Sequence, residues 1–160
     1  MNNLLRTITA GGLGLLLAAN VPPAATQSST GATYYSAGAA PDYPFSKAVR
    51  AGDFVYVSGQ IGTGPDGKLV EGFDAQARQT MDNLAAVLRE QGLTFDDVVK
   101  CTVMIGDMSQ WSAFNAIYRT YFKAGRFPAR SAFGANGLAL GAALEVECIA
   151  YAPVKPGAKR

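Results

Sequence analysis

The segment Arg126-Phe127-Pro128-Ala129-Arg130-Ser131 places an arginine just after a proline-fixed bend, where an apolar strand is about to begin. The guanidinium fork binds a carboxylate through two parallel donors, with strength and a fixed orientation. A solvated arginine at a strand end is the alternative, and spacing alone leaves both open. Glu145 and Glu147 stand two apart in a strand-like run, so they point to one face. Their neighbours are apolar, so that face is wet, interfacial or paired. Such a carboxylate can position or activate a water, and burial that raised its pKa would let it donate a proton as well. It can equally belong to a solvated sheet face. Ser58-Gly59-Gln60 closes another strand, and a glycine there allows a ligand to approach the backbone closely, although glycine also simply ends strands.

The composition removes other chemistries. There are no histidines among the 160 residues, which excludes Ser-His-Asp and Cys-His nucleophiles and the usual zinc sites. No HExxH, CxxC or acidic cluster points to a metal, and the glycine-rich stretch Gly62 to Gly67 lacks the pattern of a phosphate cradle. A formal net charge of +2 gives no electrostatic footprint for nucleic acid. With 49% hydrophobic and 16% charged residues, the chain is one domain with a sizeable core.

The elements that must hold these groups alternate. Phe54-Val55-Tyr56-Val57-Ser58 is a strand after the turn Ala51-Gly52-Asp53, and Val49 with the residues before it forms its hairpin partner. Ala77, Met81, Leu84 and Leu88 recur at spacings of 4, 3 and 4, which predicts a helix from about Phe73 to Gln91, stopped by Gly92. Val98 to Ile105 is the next strand. Asp107-Met108-Ser109-Gln110 has the form of a capping box and opens a helix predicted over about Met108 to Lys123. Its aromatic face, Trp111, Phe114, Tyr118, Tyr121 and Phe122, reads as core rather than pocket. Strands follow at about Ala129 to Phe133 and at Ala143 to Ala152. The result is an α+β sheet of about five to six strands with two helices on one face. The other face needs a partner, which argues for an oligomer.

The ends read differently. Residues 1–25 have the character of a secretory signal: Arg6, an apolar run from Ile8 to Ala19, then small residues. The stretch is too short and interrupted for a membrane anchor, so no stable membrane association is expected after cleavage. Residues 26–40 read as a flexible leader, 41–153 as the domain and 154–160 as a basic tail. Export places Cys101 and Cys148 in an oxidising compartment, outside the cytoplasm as a periplasmic or secreted protein. Both lie in β-branched strand runs, which favours buried small hydrophobes; a disulfide is the alternative, decided by Cα spacing.

Taken in order, the segments Pro44-Phe45-Ser46-Lys47-Ala48-Val49, Val57-Ser58-Gly59-Gln60-Ile61, Gln76-Ala77-Arg78-Gln79-Thr80-Met81-Asp82-Asn83-Leu84, Asn115-Ala116-Ile117-Tyr118, Phe127-Pro128-Ala129-Arg130-Ser131 and Leu144-Glu145-Val146-Glu147 resemble the RidA family, also called YjgF or L-PSP. The resemblance covers about Tyr43 to Ala152. It implies a chorismate-mutase-like fold and a homotrimer whose sheets form an inner barrel, with one cleft at each subunit interface. It implies hydrolysis of enamines and imines such as 2-aminoacrylate to 2-keto acids and ammonia, with no metal or organic cofactor. By the same resemblance Arg130 binds the substrate carboxylate and Glu145 holds the attacking water. Ser58, Gly59 and Asn115 match pocket positions, and Ala132 matches a position whose backbone meets the ligand. Two departures stand out: Phe45 replaces a common Tyr, and Ala132 a common Cys. A non-catalytic carboxylate-binding or holdase-like module of the same fold is the alternative. A ribonuclease, a name also attached to the family, is disfavoured by the charge and the missing histidines.

Overall fold

A computed structural model describes residues 31–36 and 43–153. Its strands are β1 (Thr33–Ser36), β2 (Ser46–Ala51), β3 (Phe54–Gln60), β4 (Val98–Ile105), β5 (Ala129–Gly134) and β6 (Leu144–Tyr151), and its α-helices are α1 (Phe73–Glu90) and α2 (Trp111–Tyr118). They form one six-stranded sheet in the order β1-β2-β3-β6-β4-β5. All neighbours are antiparallel except β4 and β5. That parallel pair needs a crossover, and α2 supplies it. The family's α+β architecture is therefore present, with both helices packed together on one side of the sheet.

The apolar face of α1 is the expected one: Ala77, Met81, Leu84 and Leu88 are fully buried. The helix ends in a Schellman motif, with the Gly92 N–H donating to Arg89 O and the Leu93 N–H to Leu88 O, both at 2.9 Å. Gly92, at φ 71°, sits in the left-handed conformation this requires. In β6, Leu144, Val146, Cys148 and Ala150 turn inward while Glu145, Glu147, Ile149 and Tyr151 turn out.

Several expectations are corrected. The leader assigned to residues 26–40 contains β1, which pairs with β2 and extends the sheet by an edge strand. The second helix is α-helical only over Trp111–Tyr118, with 3-10 turns at Met108–Gln110 and Arg119–Tyr121. It stops early because Phe122 turns extended, at φ −122° and ψ 152°, and buries its ring against Phe95 and Tyr118. The Asp107 carboxylate accepts from the Ser109 N–H at 2.9 Å, whereas the reciprocal capping box forms at Thr94 and Asp97. Cys101 and Cys148 are not free hydrophobes but a disulfide. The antiparallel register sets them opposite each other on the inward face, with Cα atoms 4.1 Å apart.

The sheet's outer face carries exposed Tyr34, Phe54, Tyr56, Phe133 and Tyr151 beside the two glutamates. The expected signal segment, the rest of the leader outside residues 31–36, and the basic tail lie outside the described residues. Among the described residues no helix is long and apolar enough to cross a membrane.

Candidate functional site

Pro128 fixes the bend into β5, and two residues on Arg130 leaves the strand toward α2. Its Nη2 donates to Asn115 Oδ1 at 2.6 Å. Its Cζ lies 4.5 Å from the Tyr118 ring centre, 4.8 Å from Trp111 and 5.8 Å from Phe114. The guanidinium is thus stacked among π-faces and held by one neutral amide. The ion pairs among the described residues, Lys47–Glu90 and Lys123–Asp96, do not involve it. This half-buried cation has no counter-ion among the described residues and stands at the wall of a cleft of about 420 Å³, an arrangement chemically suited to receive an anion.

The cleft is lined by Trp111, Asn115, Tyr118, Phe127 and Pro128, with Arg119 at its edge. The aromatic stripe expected to be core is therefore divided. Phe114 and Phe122 pack inward, while Trp111 and Tyr118 also wall the cleft. Trp111, Asn115 and Arg119 follow one another at intervals of four, the first two on α2 and the last at its C-cap. The face marked by Asn115 was the signal that could have revealed the other two. The Tyr118 hydroxyl is buried without a hydrogen-bond partner among the described residues. Burial pushes its pKa up to about 12, with the Arg130 charge pulling the other way, so it stays a neutral donor.

Glu145 sits elsewhere. Arg130 registers with Cys101 and Ala132 with Val103, both inward-facing residues of β4. Glu145 registers with Met104 and alternates with buried Leu144 and Val146, so it stands on the sheet's outer face. A single chain thus brings Arg130, Asn115 and Ala132 to the helix side and places Glu145 on the other. Around Glu145, β3 bulges: Val57 pairs with Cys148 and Gln60 with Val146, leaving Ser58 and Gly59 out of the ladder. Ser58 Oγ donates to Ser46 O at 2.6 Å, and Gln60 Nε2 donates to Ser58 O at 3.0 Å. The Glu145 carboxylate lies over Gly59, where a Cβ would stand 2.8 Å from Cδ. Desolvation, and after it the charge of Glu147, raises the Glu145 pKa. Phe45 is exposed just before β2, its ring 5.2 Å from that of Tyr43. Among the described residues no group of three or more acidic or cysteine side chains is placed to hold a metal.

Fold and cleft together define a small α+β protein with an arginine in an aromatic cleft and a separate glutamate platform. The comparisons with known proteins are specific. The family described as Endoribonuclease L-PSP matches residues 36–152, and the chain belongs to it, the family also known as RidA. A 2-iminobutanoate/2-iminopropanoate deaminase of Homo sapiens is 40% identical over 109 residues, 67% of this chain and 79% of that protein. A RutC family protein of Aquifex aeolicus is 43% identical over 67% of this chain and 87% of its own length. Among solved structures, RidA from an Antarctic Psychrobacter superposes with a TM-score of 0.66 at 36% identity, covering 70% of this chain and 91% of that one.

Proposed function

We propose that the protein hydrolyses 2-imino acids to 2-keto acids and ammonia, as a homotrimer whose sites combine the Arg130 cleft of one copy with Glu145 of the next. The unpaired Arg130 guanidinium, aimed into an aromatic cleft, carries this reading, because it selects a carboxylate in a fixed orientation. Relatives named as imine deaminases at about 40% identity support the chemistry.

The steps follow from the groups at hand. Arg130, steadied by Asn115, grips the carboxylate and presents the adjacent imine carbon. The protonated imine is electrophilic, and a water held by Glu145 adds to that carbon while the carboxylate accepts its proton. Glu145 then returns that proton to the nitrogen of the tetrahedral carbinolamine, the C–N bond breaks as the hydroxyl oxygen forms C=O and gives its own proton to the carboxylate, and ammonia leaves with a keto acid behind. Imines hydrolyse unaided, so positioning and modest proton transfer suffice. Phe45 supplies no hydroxyl, so water placement falls to Glu145 and the Ser58-Gly59 bulge. The RNA cleavage in the family's description is not part of this reading, since the chain has no histidine and a net charge of only +2.

The test is keto-acid release from imines generated in situ by an amino-acid oxidase, with the parent protein and Arg130→Ala side by side. Loss of a charged hydrogen bond of about 1.5–3 kcal/mol lowers kcat/KM by at least about tenfold in the variant. Equal acceleration by both proteins refutes the role of Arg130. No acceleration by a folded parent, with carboxylate binding retained, makes it a binding module instead. The buried disulfide supports an oxidising location outside the cytoplasm, which fractionation tests.

A further inference from the structure

Arg130 is not the only cation at the cleft. Arg119, at the C-terminal end of α2, lines it too, and no acidic side chain among the described residues does. The two guanidiniums share one anchor. Arg130 Nη2 donates to the Asn115 side-chain oxygen at 2.6 Å, and Arg119 Nε donates to the Asn115 backbone carbonyl at 3.3 Å. Asn115 thereby ties both forks to one turn of helix. Arg119 uses only Nε in that contact, so both of its Nη groups remain without an acceptor among the described residues. A basic residue at a helix C-terminus gains from the helix dipole, but that does not require it to open onto the cleft. A monocarboxylate neutralises one of the two cations. A dicarboxylate neutralises both, and Trp111, Tyr118 and Phe127 line the same cleft as the two guanidiniums, so a ligand spanning it gives up part of its water on its apolar stem.

We propose that the preferred substrates are dicarboxylic 2-imino acids, with Arg130 on the carboxylate beside the imine carbon and Arg119 on the distal one. This rests on the deaminase reading above and assigns its substrate class. For the four-carbon member, 2-iminosuccinate and water give oxaloacetate and ammonia. The C=N bond is replaced by C=O, and no electron changes hands. The reaction that supplies such a substrate is the two-electron oxidation of an acidic amino acid.

Two measurements test it. The first compares kcat/KM for 2-iminosuccinate, generated by an aspartate oxidase, with that for 2-iminopropanoate. The expected ratio is about ten or more, and Arg119→Gln lowers that ratio about tenfold, the loss of one charge-assisted hydrogen bond. The second needs no turnover. Trp111 is the sole tryptophan and lies in the cleft, so its fluorescence reads occupancy directly. Succinate is expected to bind at least about tenfold more tightly than butyrate, and Arg119→Gln removes that difference. Arg119 is exposed at a helix end, so the substitution leaves the core intact, which circular dichroism verifies. A ratio near one, or a ratio that Arg119→Gln leaves intact, overturns the proposal while monocarboxylic turnover keeps the deaminase reading. Selective succinate binding without turnover of any imine does the reverse.

Discussion

Gly59→Ala separates chemistry from folding at the Glu145 platform. A Cβ at Gly59 would overlap Glu145 Oε1 and stand 2.8 Å from Cδ and 3.0 Å from Cγ. The obstacle is the far end of a flexible side chain, not backbone, so Glu145 swings away rather than the strand. Gly59 is not among the positive-φ glycines, so alanine fits its backbone. Folding then gains about 0.4–1 kcal/mol from the stiffer unfolded chain and loses about 0.5–1.5 kcal/mol to an off-rotamer glutamate, a net near zero. Turnover fares differently. A water-holding carboxylate displaced by an ångström or more forfeits about a hundredfold in rate, or about 2.7 kcal/mol. The assay is imine hydrolysis at saturating substrate, with thermal melts of the same preparations. The double variant with Glu145→Gln should be no slower than the slower single one, because both act through one group. Parent-like turnover in Gly59→Ala refutes the placement of the catalytic carboxylate over Gly59, and an additive double loss refutes the shared route.

Other outcomes follow from the same geometry. Reducing the Cys101–Cys148 bond, which closes a 47-residue separation, should cost about 4 kcal/mol through loop entropy; an unchanged melting temperature under reductant counts against the bond. Turnover should rise with pH through an apparent pKa above the ordinary glutamate range, because Glu145 must be ionised to accept a proton; Glu145→Gln should abolish that limb. The native state favours protonated Glu145, so its stabilising contribution is present below the unfolded pKa and lost as pH rises through the folded one. Glu145→Gln should therefore melt higher than the parent at neutral pH and equal to it in acid below the unfolded pKa, and the opposite order would contradict the shift. Co-refolding Arg130→Ala with Glu145→Gln, each strongly impaired alone, should restore about one quarter of the sites if each site draws on two copies of a ring. No recovery would place both groups in one chain's site.

Legibility in the sequence followed periodicity. Helix α1 announces itself through Ala77, Met81, Leu84 and Leu88, and β6 through strict alternation, because one face of each is buried and the other is not. The aromatic run on α2 carries the same helical spacing, yet spacing cannot distinguish a ring buried by leucines from a ring buried by a guanidinium. Trp111 and Tyr118 stack on Arg130, which arrives from β5, the next strand along the chain, and helical spacing says nothing of how that strand folds back. Strand β1 is four residues of Thr-Tyr-Tyr-Ser at a sheet edge, mostly exposed, so no hydrophobic pattern marks it. The disulfide was hidden for a related reason: two strand cysteines look alike whether they oppose each other or not, and only the β4–β6 register shows that they do.

Register also governs the candidate site. Strand parity makes the side of Arg130 depend on Cys101 and the side of Glu145 depend on Leu144, both buried at 0% exposure. Glu145 cannot change sides without a one-residue slip that would expel the whole inward row of β6 and break the disulfide, and Arg130 is held to the helix side by the parallel register of β5 on β4. The separation of Arg130 from Glu145 is thus built into strand register, not into loops that could rearrange. On the proposed reading a single chain holds the anion but lacks the proton acceptor on the same side, and the exposed tyrosines and phenylalanines flanking Glu145 and Glu147 give the outer face an apolar reason to be covered by another copy.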